Sequence, residues 1–165
     1  MRFAVLVALL LASAALPAGG AFAADDPSAI VEAFCKARLA GDEAATLALL
    51  TPSLVKVIDE AKARKDVIAK ATPGEKPPIG DGIPYQAFPD LAQDCEAGRV
   101  EEKPGRIEIE VNYRFSETPN ADWTDRLKLV AESDGLRIDD IMFADVANGE
   151  PDQRLRRALF EAFDH

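Results

Sequence analysis

The sequence is poor in the residues that build most catalytic and metal centres. It has one histidine, His165, which is the last residue, and two cysteines. Without a second histidine, a nucleophilic centre of the Ser-His or Cys-His kind is not expected. The cysteine and histidine spacing does not fit a zinc site, and the clustered acids Asp90, Asp94 and Glu96 lack the spacing of a calcium loop. We therefore expect no bound metal and no cofactor.

A phosphate-binding glycine pattern and an excess of positive charge are also missing. Gly74, Gly80 and Gly82 alternate with prolines instead of leading from a strand into a helix. The formal net charge is −10 at pH 7. Such a charge repels nucleic-acid backbones and anionic lipid headgroups. We therefore expect no nucleic-acid partner.

The one long apolar run lies at the N-terminus. Arg2 precedes an apolar stretch over 3–16, and the small-residue sequence Ala-Phe-Ala follows at 21–23. The run is too short to span a bilayer, and its end matches a signal-peptidase site. The sequence therefore predicts a cleaved signal peptide at 1–23 and a single domain over 24–165. We expect that domain in the periplasm or secreted, without stable membrane insertion after cleavage.

Export gives the two cysteines an oxidising environment. Cys35 and Cys95 are therefore predicted to form one structural disulfide. The alternative, a redox-active pair, usually has the Cys-x-x-Cys spacing, which these residues lack. Closing a loop of about 60 residues destabilises the unfolded chain by roughly 4 kcal/mol at most.

Helical patterns fill the first half of the domain. Asp26 is a suitable N-cap with Pro27 in the first turn, and Gly41 ends that helix. A second helical stretch covers 42–50, and Thr51 with Pro52 begins a third that continues past Ala61. The proline- and glycine-rich segment 72–89 then predicts an irregular loop, either a lid over a pocket or a mobile crossover.

Alternating apolar and polar residues in the second half predict an antiparallel meander. The expected strands cover 106–115, 123–131 and 136–143, with a shorter strand at 99–102. A short C-terminal helix is expected from near Pro151, with an apolar stripe of Leu155, Leu159, Phe160 and Phe163. Helices followed by strands predict an α+β fold.

Charge and apolar matching predict the strand register. We expect Val111 opposite Leu127 and Ile109 opposite Leu129. Leu129 should also face Ile138, which places Lys128 opposite Asp139.

This register suggests a candidate for proton transfer. It turns Asp140 toward the apolar face beside Leu127 and places Asp125 on that face near Tyr113. A desolvated carboxyl group beside a phenol suits proton transfer next to a carbonyl. The simpler alternative is that both acids lie at the rim of the sheet, with Asp140 paired to a terminal arginine. Candidate ligand-pocket residues are aromatic: Tyr85, Phe88, Tyr113 and Trp123.

The chain resembles the nuclear transport factor two-like superfamily, with a cystatin-like α+β cone, and more narrowly exported bacterial members of it. The resemblance is carried by Ile30, Val31 and Phe34, by Leu47, Leu49 and Leu50, and by the segments 51–54, 123–127 and 136–141. It implies N-terminal helices packed on a curved antiparallel sheet. Members include isomerases, dehydratases and epoxide hydrolases as well as noncatalytic binders and assembly domains, so the fold does not choose a function.

Two functional hypotheses follow. The leading one is a noncatalytic exported domain with a ligand-binding or accessory role, whose partner is a small apolar ligand or a periplasmic protein. The alternative is a small proton-transfer enzyme, isomerase-like or dehydratase-like, that uses Tyr113, Asp125 and Asp140 in a concave apolar pocket. A homodimer is a further alternative for the partner.

Overall fold

The computed structural model describes residues 26–144 and 153–164. The predicted signal peptide, Pro151 and His165 lie outside the described residues. Within the described residues, no helix is both long and apolar enough to cross a membrane.

In the part of the chain that the structure describes, three helices come first: α1 (Pro27–Leu39), α2 (Glu43–Ala48) and α3 (Pro52–Ala71). Each begins at a side-chain cap, because Asp26 accepts from the Ser28 N–H, Asp42 from the Ala45 N–H and Thr51 from the Leu54 N–H. These caps satisfy N–H groups that have no partner inside the helix. The predicted helix starts at Asp26 and Thr51 are therefore confirmed.

Over 26–144, four strands follow these helices and form one antiparallel sheet in the order β1-β2-β3-β4. They are β1 (Asp94–Lys103), β2 (Arg106–Arg114), β3 (Trp123–Glu132) and β4 (Gly135–Met142). A short helix, α4 (Leu155–Glu161), comes last in the described chain. The predicted α+β class, with helices before a meander and a short C-terminal helix, is confirmed.

The first strand is longer than the predicted 99–102. Its register against β2 shifts between Ala97 and Val100. The bulge interrupts the alternation of inward and outward side chains, and the segment 94–98 before it has no β-branched or aromatic residue of the kind that is typical of strands. The residues before the bulge were therefore not recognised from the sequence.

The predicted register between β2 and β3 is wrong by two residues. Ile109 pairs with Leu127, and Val111 pairs with Asp125. A shift of two leaves every side chain on its predicted face, because the side-chain period of a strand is two. Apolar patterning therefore predicted the face of each side chain correctly but not its partner on the neighbouring strand.

A second bulge lies between β3 and β4. Leu129 pairs with Ile138 as predicted, but Lys128 then pairs with Asp140 and Leu127 with Ile141. Asp139 is the extra residue in the bulge. Its carboxylate still accepts a hydrogen bond of 2.8 Å from Lys128 Nζ, so the predicted pairing is wrong although these two side chains do meet.

The core lies between the helices and one face of the sheet. Fully buried side chains from α1, α3, the sheet and α4 form one cluster, which includes Phe34, Ile58, Leu127 and Leu155. On α4, Phe160 is 63% exposed, so the predicted stripe is wrong at that position. Leu155 and Leu159 are four apart and share a helix face, whereas the next residue is turned about 100° away.

The predicted disulfide is confirmed and joins two layers of the fold. Cys35 on α1 is bonded to Cys95 at the start of β1, with 5.5 Å between their Cα atoms. The two cysteines are 60 positions apart in sequence, and the loop that the bond closes contains α2, α3 and the 72–89 segment.

Candidate functional site

Asp125, on β3, is a fully buried carboxylate that contacts the end of the proline- and glycine-rich segment 72–89. Its Oδ2 accepts hydrogen bonds from the Ala87 N–H at 3.0 Å and from Trp123 Nε1 at 3.2 Å. Its Oδ1 accepts a 2.7 Å bond from the Ala144 N–H. One side chain on β3 thus fixes both the segment that precedes β1 and the chain that leaves β4.

The electrostatics of Asp125 match this role. Burial raises the pKa of the Asp125 carboxyl above its ordinary value, and the hydrogen bonds from Ala144, Ala87 and Trp123 oppose that rise. Both oxygens are already used by donors of the protein. Asp125 is therefore first of all a structural link between segments.

Tyr113 lies next to this link. Its ring stacks on Trp123 with 4.5 Å between centroids, and its hydroxyl is buried without a hydrogen-bond partner in the described part of the chain. Burial, and then the charge of Asp125, raises the pKa of Tyr113. The structure therefore places Tyr113 and Asp125 in one buried region, with the phenol held neutral.

Asp140 lies in a different environment from the one predicted. The bulge places Ile141 opposite Leu127 and moves Asp140 to the position opposite Lys128. There Asp140 Oδ1 accepts from the Ile141 N–H at 3.0 Å and from the Arg156 N–H at 3.2 Å. The latter bond caps the start of α4, where Arg154 at the N-cap makes no side-chain cap bond.

Burial also raises the pKa of Asp140, opposed by the two backbone hydrogen bonds and by the charges of Arg156 and Arg154. The predicted position of Asp140 beside Leu127 is therefore wrong, since Ile141 takes that place. The simpler alternative is wrong in placing both acids at the rim, because Asp125 and Asp140 are buried, but Asp140 does lie against Arg156, whose backbone N–H it accepts.

The aromatic candidates fall into two groups. Phe88 and Tyr113 both contact Trp123, at centroid distances of 5.5 and 4.5 Å. These are direct ring contacts, so the rings pack on one another. Tyr85 is separate, since its hydroxyl donates a 3.0 Å bond to Glu43 on α2 and the Arg38 guanidinium lies 4.8 Å from the centre of its ring.

Sequence reasoning did not find the groove that the structure shows at the other end of the sheet. It has a volume of about 790 Å³ and lies between α2, α3 and the β3–β4 hairpin. Leu47, Leu50 and Val55 are among its apolar lining residues. Most of its remaining lining is exposed: Ala48, Pro52, Lys56, Asp59, Glu60, Ala63, Glu132, Ser133 and Asp134, with Arg137 half-buried.

The base of the groove is built by hydrogen bonds between the α2–α3 junction and β4. The Thr51 N–H donates to the Ile138 carbonyl at 2.8 Å, and the Ile138 N–H donates to the Leu49 carbonyl at 2.9 Å. Arg137 adds a hydrogen bond to the Ala48 carbonyl at the end of α2. These bonds hold the helices against the hairpin, so the groove is formed before anything binds.

The charges around the groove are mostly negative. Among the described residues that line it, four are acidic, namely Asp59, Glu60, Glu132 and Asp134, and two are basic, namely Lys56 and Arg137. Arg137 is engaged by Asp134 at 2.5 Å, and Lys56 lies 3.8 Å from Glu60.

The described ranges, 26–144 and 153–164, contain no group of three or more His, Cys, Asp or Glu side chains placed to hold a metal ion. Comparisons with protein-family models, with curated proteins and with solved structures found no match to the chain.

Proposed function

We propose that this protein is an exported, noncatalytic binding domain and that the groove between α2, α3 and the β3–β4 hairpin is its binding site. The main observation in support is the groove itself, which has a volume of about 790 Å³ and whose lining includes Leu47, Leu50 and Val55. Binding sites commonly combine an apolar floor with a few polar groups at the rim. Because the base is fixed by backbone hydrogen bonds, little ordering cost accompanies binding.

The buried acids support a noncatalytic role. Asp125 has both oxygens occupied by backbone and indole donors, and Asp140 caps α4. A general base needs an oxygen within hydrogen-bond reach of its substrate. Proton transfer through Tyr113, Asp125 and Asp140 is therefore the less supported function.

Export and family also belong to this proposal. The Cys35–Cys95 disulfide is the kind of bond that persists outside the cytoplasm. Helices packed on an antiparallel meander are consistent with the nuclear transport factor two-like resemblance, which we retain as the proposed family. Homodimer formation stays a prediction.

A pair of matched substitutions on α3 tests the groove. Val55→Trp places a large side chain in the groove, whereas Val67→Trp makes the same change at a position that is 67% exposed on the same helix. The wild type and both variants are screened by thermal shift against a library of apolar metabolites and short peptides. We expect compounds that raise the Tm of the wild type and of Val67→Trp but not of Val55→Trp.

Two results would overturn this proposal. One is a library in which nothing stabilises the wild type. The other is a set of stabilising compounds that act equally on Val55→Trp, since their site would then lie elsewhere.

A further inference from the structure

The groove is an open channel more than an enclosed cavity. Its rim residues, such as Lys56 and Glu132, are exposed, while Leu50 at its base is buried. A pocket for a small molecule usually encloses most of the ligand surface. A groove between helices and a hairpin instead suits a segment of another chain laid along it, with side chains inserted into the floor.

The charges that remain at the rim indicate the chemistry of such a segment. Arg137 is neutralised by Asp134 and also donates to the Ala48 carbonyl, and Lys56 faces Glu60. Asp59 on α3 and Glu132 at the end of β3 are then left in excess on two different walls of the groove.

The whole molecule favours the same sign of partner. Its net charge of −10 attracts cationic partners and repels anionic membranes and nucleic acids. The apolar floor at Leu47 and Val55 adds a requirement for an apolar side chain between the two acidic walls. A purely polar cation would leave that floor exposed to water.

We propose that the groove binds a segment of a partner protein in which apolar side chains are flanked by basic residues. This inference rests on the proposed function and names the partner chemistry of that same site. The apolar side chains enter between α3 and the hairpin, and the basic residues lie against Asp59 and Glu132.

Three synthetic peptides of about six residues test this chemistry. The first alternates lysine and leucine, the second replaces lysine by glutamate, and the third replaces leucine by serine. Each carries a fluorescent label, and its binding to the wild-type protein is measured by anisotropy at low and at high salt. We expect the lysine–leucine peptide to bind most tightly and to weaken as salt rises, because exposed charge pairs are screened.

Two double variants separate a local effect from the overall charge. Asp59→Asn with Glu132→Gln should weaken binding of the lysine–leucine peptide about three- to tenfold, as expected for two partly exposed charge pairs. Glu32→Gln with Glu102→Gln makes the same change in net charge at exposed positions outside the groove lining. This control should bind like the wild type, while Val55→Trp should not bind.

The outcomes distinguish this inference from the proposed function. Tighter binding of the glutamate–leucine peptide, or equal binding of the lysine–serine peptide, would overturn the inference and leave the groove as a binding site. Equal losses in the two double variants would also overturn it, since net charge alone would then explain binding. If no peptide binds but the groove-dependent compounds of the thermal-shift screen exist, only the inference fails.

Discussion

At the scale of single residues, Asp125 links three separate parts of the chain. Its carboxylate joins the backbone at Ala87, the backbone at Ala144 and the indole of Trp123. Asparagine has nearly the same shape but presents an NH2 group where one oxygen accepts. Asp125→Asn should therefore lower the free energy of unfolding by about 1–3 kcal/mol, measured by urea denaturation. The matched control, Asp94→Asn at an exposed position, should change it little.

The pH dependence of this loss follows from the direction of the pKa shift. Burial raises the pKa of Asp125 above its value in the unfolded chain, so the native state holds the proton more tightly. Its contribution to stability is then fully present below the ordinary carboxyl pKa, about 3.9, and is lost as pH rises through the raised native pKa. Asparagine does not titrate, so the deficit of the variant should be smaller at about pH 8 than at about pH 4. A deficit that grows with pH would show that the hydrogen bonds outweigh burial.

At the scale of elements, the bulges decide where functional side chains point. The β4 bulge adds Asp139 between Ile138 and Asp140, so that Ile141 meets Leu127 and Asp140 is free to cap α4. The β1 bulge is accompanied by Gly98, where an added Cβ would lie 2.7 Å from Asn112 Nδ2 and 2.8 Å from Glu110 Cβ. Both bulges change the register that alternation alone would predict.

Gly98→Ala tests the close approach of β1 to β2. Because the added methyl group would clash with two side chains of the neighbouring strand, the free energy of unfolding should fall by about 1–3 kcal/mol. Val100→Ala changes a 42% exposed residue just past the bulge and should alter stability by about 0.5 kcal/mol or less. Equal stability of Gly98→Ala and the wild type would mean that β1 can move away from β2 without cost.

At the scale of the whole molecule, the disulfide joins the helical layer to the sheet. The bond joins Cys35 to Cys95, which are 60 positions apart in sequence. Replacing both cysteines by serine should reduce the free energy of unfolding by about 2–4 kcal/mol, chiefly because the unfolded chain gains conformational entropy without the bond. Urea denaturation with and without a reductant provides the control. The reductant should destabilise the wild type and should have no effect on the double variant. Full stability of the reduced wild type would contradict this expectation.

Contacts between residues far apart in sequence limited how much of the candidate site could be predicted. The buried neighbours Tyr113 and Asp125 were found because strand alternation places both on the inward face. The role of Asp125 as a link was not found, because its donors at Ala87 and Ala144 are 38 and 19 positions away in sequence. No pattern of nearby residues reports such contacts.

The amino-acid sequence by itself determined the helix starts at Asp26 and Thr51, the inward faces of β2 and β3 and the partners of the disulfide. Caps and alternation depend on groups a few residues apart, and two cysteines leave one intrachain pairing. The tertiary structure decided the register between β2 and β3, the position of Asp140 and the existence of the groove. The groove depends on Arg137 reaching the Ala48 carbonyl across 89 positions, a contact that exists only after the hairpin has packed against α2 and α3.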